Sequence, residues 1–176
     1  MTAKIKLKNR DQEFVTIDLR SLEYIKSDKH LMSLKFLDNM RAHSNGYAVF
    51  QRCVTTAKGP VYETIYLHKL IGEKFLKKPK SDKKLFISFK DGNVQNATID
   101  NLQWVTMGEM RRHMKSVRTK TGYRGVTKEK GRYRAVIYDQ HKAINLGFFD
   151  TAIEAAKAYN KKSIELFGRT RGLNDV

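Results

Sequence analysis

Hydrophobic and polar positions alternate in the first third of the chain with the two-residue period of β-strands. The stretches KIKLK and EFVTIDL each predict a strand, and GYAVFQRCVTT predicts another directly after the Asn45-Gly46 turn signal. The segment from Ser21 to His43 is ambiguous between helix and strand. The first third is therefore predicted to be rich in strands.

The pattern becomes helical from Tyr66 onward. Apolar residues recur at i, i+3, i+4 and i+8 between Leu67 and Phe75, and the lysine-rich stretch KKPKSDKK around Pro79 ends the pattern. This spacing predicts an amphipathic helix with one face packed inward.

Two short strand patterns, LFISFK and NLQWVT, flank the turn signal Asp91-Gly92-Asn93 and predict an antiparallel hairpin with a long return. Trp104 is expected to be its buried aromatic anchor. A helix is predicted to begin at Thr106, because Thr106 and Glu109 have the spacing of a capping box. The stretch RRHMKSVR then places cations toward the end of that helix, where its dipole favours them.

A second module is predicted at residues 122–176, separated from residues 1–114 by a polar linker at 115–121. Three short strand patterns at its start predict an antiparallel meander. Thr151 and Glu154 have the spacing of a capping box and open a helix that Gly168 ends. The predicted fold class is α+β, and the second module is a three-stranded antiparallel sheet with one packed helix.

The charge balance points to a polyanionic partner. Thirty-five Lys and Arg residues against 18 Asp and Glu give a formal net charge of +17. An excess of positive charge repels itself, which a polyanionic partner would relieve. Nucleic acid is the favoured partner, because basic residues alternate with aromatic ones along strand-like as well as helical segments. Solubility and an anionic membrane surface are the other two explanations, and we predict no membrane partner.

The cysteine count and the apolar content limit the possible metal sites, membrane segments and cellular compartment. The chain has one cysteine, Cys53, which excludes an intramolecular disulfide and a zinc site built on several thiolates. No stretch approaches the roughly 20 apolar residues that cross a bilayer, and the N-terminus lacks the apolar run of a signal peptide. A cytoplasmic location, in a bacterial or phage-infected cell, is expected.

The segment from Leu67 to Thr106 resembles the His-Asn-His (HNH) nuclease module of phage and mobile-element homing endonucleases, through "LHKLIGEKFL" and "DGNVQNATIDNLQWVT". The resemblance covers about 40 residues and implies a ββα-metal fold. The positions that match the family pattern are mainly scaffold positions: His68, Asp91, Gly92, Asn93, Asn96, Asn101, Leu102, Trp104, Val105 and Thr106.

The positions that carry catalysis in that family differ in this chain. The family's Asn and His before the Asp-Gly turn fall on Ser88 and Phe89, a second Asn falls on Ala97, and the Asn of the following helix falls on Met110. Phosphodiester hydrolysis needs a base and a hard divalent cation, and a phenyl ring and a thioether supply neither. We therefore predict a degenerate module with no catalytic residues, no metal ligands and no cofactor.

An active enzyme is the alternative. In that case the chain is a Mg²⁺-dependent HNH DNA endonuclease that recruits His68 or His113 as its base. A structural role for His68, orienting the hairpin through hydrogen bonds near a helix start, is the competing interpretation of that residue.

The stretch from Tyr123 to Asn174 resembles the DNA-binding domain of plant ethylene-response factors, the APETALA-two type. Its signals are Tyr-Arg-Gly-Val, Leu-Gly-x-Phe-x-Thr, Glu-Ala-Ala-x-Ala-Tyr and a final Leu-Asn. In that family the outer face of the sheet lies in the major groove, and the domain is appended to many HNH homing endonucleases. The resemblance implies that the second module binds DNA.

The two-residue period divides the middle strand of this module into two faces. Tyr133, Ala135 and Ile137 are predicted to meet the helix, which leaves the opposite face exposed. Arg suits guanine edges and phosphates, Asn suits adenine, and Lys supplies phosphate contacts. The predicted nucleic-acid-binding residues are Arg124, Thr127, Lys128, Lys130, Arg132, Arg134, Tyr138, Lys142 and Asn145, with Arg111, Arg112 and Lys115 of the preceding basic helix.

The function predicted from the sequence is binding of nucleic acid, with double-stranded DNA favoured over RNA, by a relative of HNH homing endonucleases whose catalytic motif is lost. The active endonuclease is the first alternative. A protein docked on RNA or on a nucleic-acid machine is the second alternative.

Overall fold

A computed structural model describes residues 1–114 and 119–176, which form an α+β protein built from small antiparallel sheets, so the predicted fold class is confirmed. The chain divides into two compact units, Met1–Met107 and Gly108–Val176. Residues 115–118 of the predicted linker lie outside the described residues. The predicted boundaries at 114 and 122 stay predictions.

The first unit contains, in chain order, β1 (Thr2–Lys6), β2 (Phe14–Asp18), α1 (Leu19–Ser27), α2 (Lys29–Ser33), β3 (Arg41–Ala42), β4 (Ala48–Thr56), β5 (Gly59–Tyr66), α3 (Leu67–Phe75), β6 (Leu85–Phe89), a 3₁₀ turn (Ile99–Asn101) and β7 (Leu102–Thr106). β1 pairs with β2, β4 lies between β3 and β5, and β6 pairs with β7, all antiparallel. The strands predicted in the first third and the later hairpin are thus observed.

Three parts of the first unit were left open by the sequence or differ from its prediction. The ambiguous segment contains two short helices, α1 and α2, before the brief strand β3. β5 was not predicted, because the outer parts of β4 and β5 form a ribbon that is largely exposed on both faces and lacks a simple apolar alternation. α3 ends at Phe75, four residues before Pro79, and the Leu76 N–H closes its last turn on the Gly72 carbonyl.

The core of the first unit joins β2, α3 and the β6–β7 hairpin. Val15, Ile17, Leu67 and Ile71 are fully buried. α3 lies close to the hairpin at Gly72, where a Cβ atom would come within 2.5 Å of the Ile87 side chain. Burial of these apolar groups is the main term that holds the hairpin in place.

The second unit contains α4 (Met107–Arg112, whose first residue closes the first unit), β8 (Val126–Glu129), β9 (Arg132–Asp139), β10 (Lys142–Phe149) and α5 (Ala152–Phe167). The three strands form an antiparallel sheet with β9 in the centre. α5 packs Ala155 and Ala156 against Val126 and Ala135 on one face of that sheet. The predicted meander and its packed helix are confirmed.

Local signals explain why this unit forms as predicted. Both strand connections are two-residue turns with positive φ at each central residue, at Lys130-Gly131 and at Gln140-His141. Such turns match the twist of the flanking strands. Thr151 and Glu154 make the predicted capping box, and Gly168 ends α5 with a φ of 71°.

The C-terminal segment ties α4 to the rest of the second unit. The Gly172 N–H donates to the Arg112 carbonyl at 2.9 Å. Asn174 exchanges two hydrogen bonds with Asn160 of α5 and two with the main chain of Arg124.

Among the helices of residues 1–114 and 119–176, none is long and apolar enough to span a bilayer.

Candidate functional site

The loop between β6 and β7 is held by hydrogen bonds among the residues that match the HNH pattern. Asn101, 8% exposed, donates from Nδ2 to Asp91 Oδ1 at 2.8 Å and to the Asn96 carbonyl at 2.7 Å. Its Oδ1 accepts the Asp91 N–H at 3.0 Å, and Asn96 Nδ2 donates to Asp91 Oδ2 at 2.8 Å. These polar groups therefore fix the loop through one another.

The same loop is also attached to β2. Thr16 N–H donates to the Gln95 carbonyl at 2.8 Å, and Ala97 N–H donates to the Thr16 carbonyl at 2.9 Å. The Asp18 carboxylate accepts the Ile99 N–H at 2.5 Å. The loop is therefore held both by its own side chains and by the main chain of β2.

Four aromatic rings pack together beside the end of β6, at the position where the HNH resemblance would put a histidine. We call Tyr47, Tyr66, His68 and Phe89 the aromatic cluster. The His68 ring stacks on Tyr47 at 4.8 Å between centroids and lies 5.0 Å from Phe89, which itself stacks on Tyr47 at 5.9 Å. Tyr66 meets His68 edge-on at 5.8 Å. Phe89 and His68 are each 5% exposed, so the cluster is largely closed to water.

His68 is held neutral by this environment. Burial, together with the smaller effect of the neighbouring Lys69 charge, lowers its pKa from 6.5 to about 4. The expectation that His68 orients the hairpin through hydrogen bonds is wrong for the residues that the structure describes. Its ring makes aromatic contacts there instead, because α3 starts against the cluster rather than against a polar loop.

The two residues at the end of β6 that match the family's Asn and His do not supply a ligand set for a hard divalent cation. Ser88 offers one half-buried hydroxyl opposite Gln103, and Phe89 offers no donor atom. Within residues 1–114 and 119–176, no group of three or more His, Cys, Asp or Glu side chains is placed to hold a metal. Met110 and His113 belong to the second unit, in and just after α4, and both are half-buried.

Trp104 is half-buried, so the expectation of a buried anchor is wrong. Its Nε1 donates to the Leu76 carbonyl at 3.4 Å, and the Lys78 ammonium lies 5.4 Å from the ring centroid. The indole needs a polar partner for its N–H, which places it at the rim of the core rather than inside it. Leu102 and Val105 of the same strand are buried in its stead.

The sheet of the second unit has one face that α5 does not cover. We call this the outer face, and strand pairing defines its members. Thr127 and Phe148 lie opposite Arg134, Asn145 lies opposite Val136, and Ala143 lies opposite Tyr138. Residues directly opposite each other in antiparallel strands share a face. The outer face therefore consists of Thr127, Glu129, Arg132, Arg134, Val136, Tyr138, Ala143, Asn145 and Phe148.

Phe148 was not predicted as an outer-face residue. A bulge between Asn145 and Gly147 shifts the register, so that Phe148 rather than Gly147 shares the face of Asn145. Gly147 has a φ of 109°. A glycine inside a strand pattern is a sequence signal for such a bulge. Phe148 is 45% exposed and Tyr138 is 66% exposed, which gives the outer face two aromatic side chains in water.

The outer-face arginines make long, solvent-exposed contacts. Arg134 reaches Glu129 and Asn145, each at 3.5 Å, and Arg132 pairs with Asp150 at 3.1 Å. Exposed pairs of this kind contribute little to stability. Both guanidinium groups can therefore exchange these partners for a ligand at small cost.

Other predicted binding residues lie elsewhere. Lys128 faces the α5 side, where its ammonium lies 5.7 Å from the Tyr133 ring. Lys130 sits in a turn, and Lys142 is exposed opposite Asp139 at the start of β10. The Arg124 guanidinium donates to the carbonyl oxygens of Arg111 and Met114, so it is held at the end of α4.

Two of the three nucleic-acid-binding residues predicted for the basic helix, Arg111 and Arg112, lie in α4. Arg111 is exposed, and the Arg112 guanidinium lies 4.0 Å from the centroid of the Phe167 ring. Lys115 lies outside the described residues. The structure thus brings Arg111, Arg112 and Arg124 together within the second unit, a grouping that the sequence did not predict.

Comparison with known proteins supports the HNH resemblance in part. No family model matches the chain. A stretch of 60 residues, 34% of this chain, is 37% identical to a protein of Acanthamoeba polyphaga mimivirus described as an uncharacterized HNH endonuclease. The chain spans only 15% of that protein's length in this match. The chain is therefore distantly similar to an HNH endonuclease over about a third of its sequence.

Proposed function

We propose that this protein binds double-stranded DNA and that the outer face of the second unit is the surface that reads it. The observation that carries the proposal is a sheet with a helix packed on one face and with exposed arginine, asparagine and aromatic side chains on the other. A formal net charge of +17 supports a polyanionic partner.

The chemistry of the outer face suits the major groove. A guanidinium group such as that of Arg134 can make two hydrogen bonds to the O6 and N7 of guanine, and Asn145 can make two to adenine. The exposed rings of Tyr138 and Phe148 offer apolar contact to thymine methyl groups or sugars. The resemblance to ethylene-response-factor domains, part of this same proposal, implies the same mode of binding.

We infer further that the HNH-like hairpin is a scaffold without hydrolytic activity. Phe89 fills the aromatic cluster, Ser88 lies in a strand, and the buried His68 ring is enclosed by three aromatic side chains. A general base must reach a water molecule and a metal must find hard oxygen or nitrogen ligands. This arrangement of residues supports neither requirement.

The second candidate function is an active HNH DNA endonuclease, and the similarity to the mimiviral HNH endonuclease favours it. Incubation of the full chain with supercoiled plasmid and Mg²⁺ or Mn²⁺ separates the two functions. We expect no nicking. Metal-dependent nicking that disappears in His68→Ala or in His113→Ala would establish the enzyme and overturn the scaffold interpretation.

Binding is tested by titrating the full chain with a duplex selected from a random pool and with a scrambled duplex, at several salt concentrations. Arg134→Ala is expected to lose ~1–3 kcal/mol on the selected duplex and to relax the preference at one base. Lys142→Ala is expected to weaken binding to both duplexes alike and to lower the salt slope by about 1.

Lys157→Ala is the matched control, since Lys157 is exposed on α5 and α5 covers the opposite face of the sheet. The proposal fails if Arg134→Ala and Lys157→Ala behave alike on both duplexes. Competition by an RNA hairpin that exceeds competition by the selected DNA duplex would instead favour a protein docked on RNA.

A further inference from the structure

A cleft of about 300 Å³ opens in the second unit beside the central strand of the sheet. β8 pairs with β9 only as far as Ala135, opposite Val126. Val136 N–H then donates to the Gly125 carbonyl at 2.8 Å, and the edge of β9 toward Tyr138 borders the cleft. The end of α4 and the inner side of α5 form the other walls.

Three arginines line this cleft, and one of them is held in place by the main chain. The Arg124 guanidinium donates to the Arg111 and Met114 carbonyl oxygens, and Asn174 bonds the Arg124 N–H and carbonyl. A guanidinium group has five N–H donors, so three remain for a ligand. Arg124 is thus a fixed cation with spare donors.

Arg112 is fixed in a different way. Its guanidinium carbon lies over the Phe167 ring, 4.0 Å from the centroid, and an aromatic face takes up none of the N–H donors through a conventional hydrogen bond. The ion pairs found among residues 1–114 and 119–176 join none of Arg111, Arg112 and Arg124 to a carboxylate. Three arginines therefore line one cleft, and none of them is paired with a carboxylate of the described residues.

The Tyr159 side chain completes the cleft. Its ring packs against Gly125, where a Cβ atom would come within 2.2 Å of the ring, and the φ of 71° at Gly125 also favours glycine. Burial raises the pKa of Tyr159, whereas Arg124 and Arg112 act to lower it. Both cations are therefore close to a phenolic hydroxyl that stays protonated at neutral pH and can donate a hydrogen bond.

We propose that this cleft binds one backbone phosphate of a DNA duplex that lies on the outer face. The inference rests on the proposed function and adds a second contact surface to it. Tyr138 belongs to both surfaces, since it lines the cleft and lies on the outer face. Guanidinium groups match the geometry of a phosphate, and phosphate contacts fix the register of a protein on the duplex.

The test is a scan of the selected duplex with single methylphosphonate substitutions, each of which removes the charge of one phosphate. For the full parent chain, one position is expected to weaken binding about tenfold or more, as for a charge-assisted hydrogen bond. Arg112→Gln is expected to lose a similar factor on the unmodified duplex and to become insensitive to that position. Its salt slope should fall by about 1.

Two further variants keep the result interpretable. Tyr159→Phe keeps the ring and removes the hydroxyl, and it should lose part of the same affinity while its thermal unfolding stays cooperative. Lys157→Gln removes one charge from the exposed side of α5 and should leave the methylphosphonate profile unchanged.

The outcomes separate this inference from the proposed function. Binding by the parent together with an unchanged phosphate profile in Arg112→Gln would overturn the cleft assignment alone. Absence of duplex binding by the parent would overturn the proposed function and the cleft with it. A third outcome combines two results: no single methylphosphonate weakens binding, and millimolar inorganic phosphate shifts the NMR signals of Tyr159 and Phe167. This outcome would make the cleft a site for free anions and would overturn its assignment to a DNA backbone.

Discussion

The β6–β7 hairpin and the sheet of the second unit use their polar residues in opposite ways. In the hairpin, Asp91, Asn96 and Asn101 bond one another at 2.7–3.0 Å and to the neighbouring main chain. On the outer face, Arg134 makes exposed contacts at 3.5 Å to side chains that compete poorly with a ligand. The polar groups of the hairpin are therefore occupied by one another, whereas the cations of the outer face are only loosely paired, as the proposed binding surface requires.

The largest expected effect is at Phe89. Phe89→Ala should destabilise the first unit by ~3–5 kcal/mol, because it removes a buried ring from the aromatic cluster. Urea unfolding followed by the fluorescence of Trp104, the one tryptophan of the chain, reports on this unit. Phe14→Ala is the control, since Phe14 is 42% exposed. Equal losses in the two variants would contradict a packed aromatic cluster around Phe89.

His68 should make the first unit sensitive to acid. A histidine whose pKa is about 4 when folded and 6.5 when unfolded stabilises the fold above pH 6.5. That contribution, about 3 kcal/mol for a shift of this size, is lost as the pH falls from 6.5 to 4.

Urea unfolding at pH 7, 5 and 4 measures this dependence, with His68→Phe compared with the parent. Carboxylates titrate in both proteins, so the difference between the two isolates His68. His141→Gln, at an exposed histidine in the second unit, should leave the dependence unchanged. A parent and a His68→Phe variant with parallel pH profiles would show that His68 is not held neutral.

Asn101→Ala should destabilise the first unit by ~1–3 kcal/mol, because Asp91 N–H and the Asn96 carbonyl lose their partner in a partly buried site. Asn93→Ala, which removes one exposed bond to the Gln95 N–H, should cost less. Chemical denaturation of both variants measures the difference. If Asn101→Ala unfolds like the parent, the hairpin polar groups are not structural and the contrast with the outer face fails.

The smallest effect on stability is expected at Arg134. Arg134→Ala should change the free energy of unfolding by no more than ~0.5 kcal/mol, because its ion pair with Glu129 is exposed and long. Thermal unfolding monitored by circular dichroism tests this value. A loss well above 1 kcal/mol would mean that Arg134 stabilises the fold. The outer face would then not differ from the hairpin in how it uses its polar residues.

Local signals explain which parts of the fold the sequence predicts. The hairpin register and the meander follow from two-residue alternation next to Asp91-Gly92-Asn93 and Lys130-Gly131, where turn chemistry admits few conformations. The capping box at Thr151 and the stop at Gly168 are equally local. These features need no information from distant residues, so pattern alone places them.

Features that depend on distant packing escape the pattern. β5 forms because β4 offers it an edge, although its own residues are mostly exposed or half-buried. Trp104 lies at the rim because the Leu76 carbonyl, 28 residues away, accepts its N–H. Trp104 is a core candidate because its side chain is large and aromatic. The sequence does not show where the acceptor of its N–H lies.

The sequence by itself determined the α+β class, the exposed strand face with its arginines, and the residue types at Ser88, Phe89 and Met110, none of which is a histidine or an asparagine. The tertiary structure alone decided that the Arg124 guanidinium is held at the end of α4, and that Arg124 joins Arg111 and Arg112 at one cleft. The physical reason is that residue type and local period are properties of the chain, whereas the partners of a long cationic side chain depend on which carbonyl groups folding brings within reach.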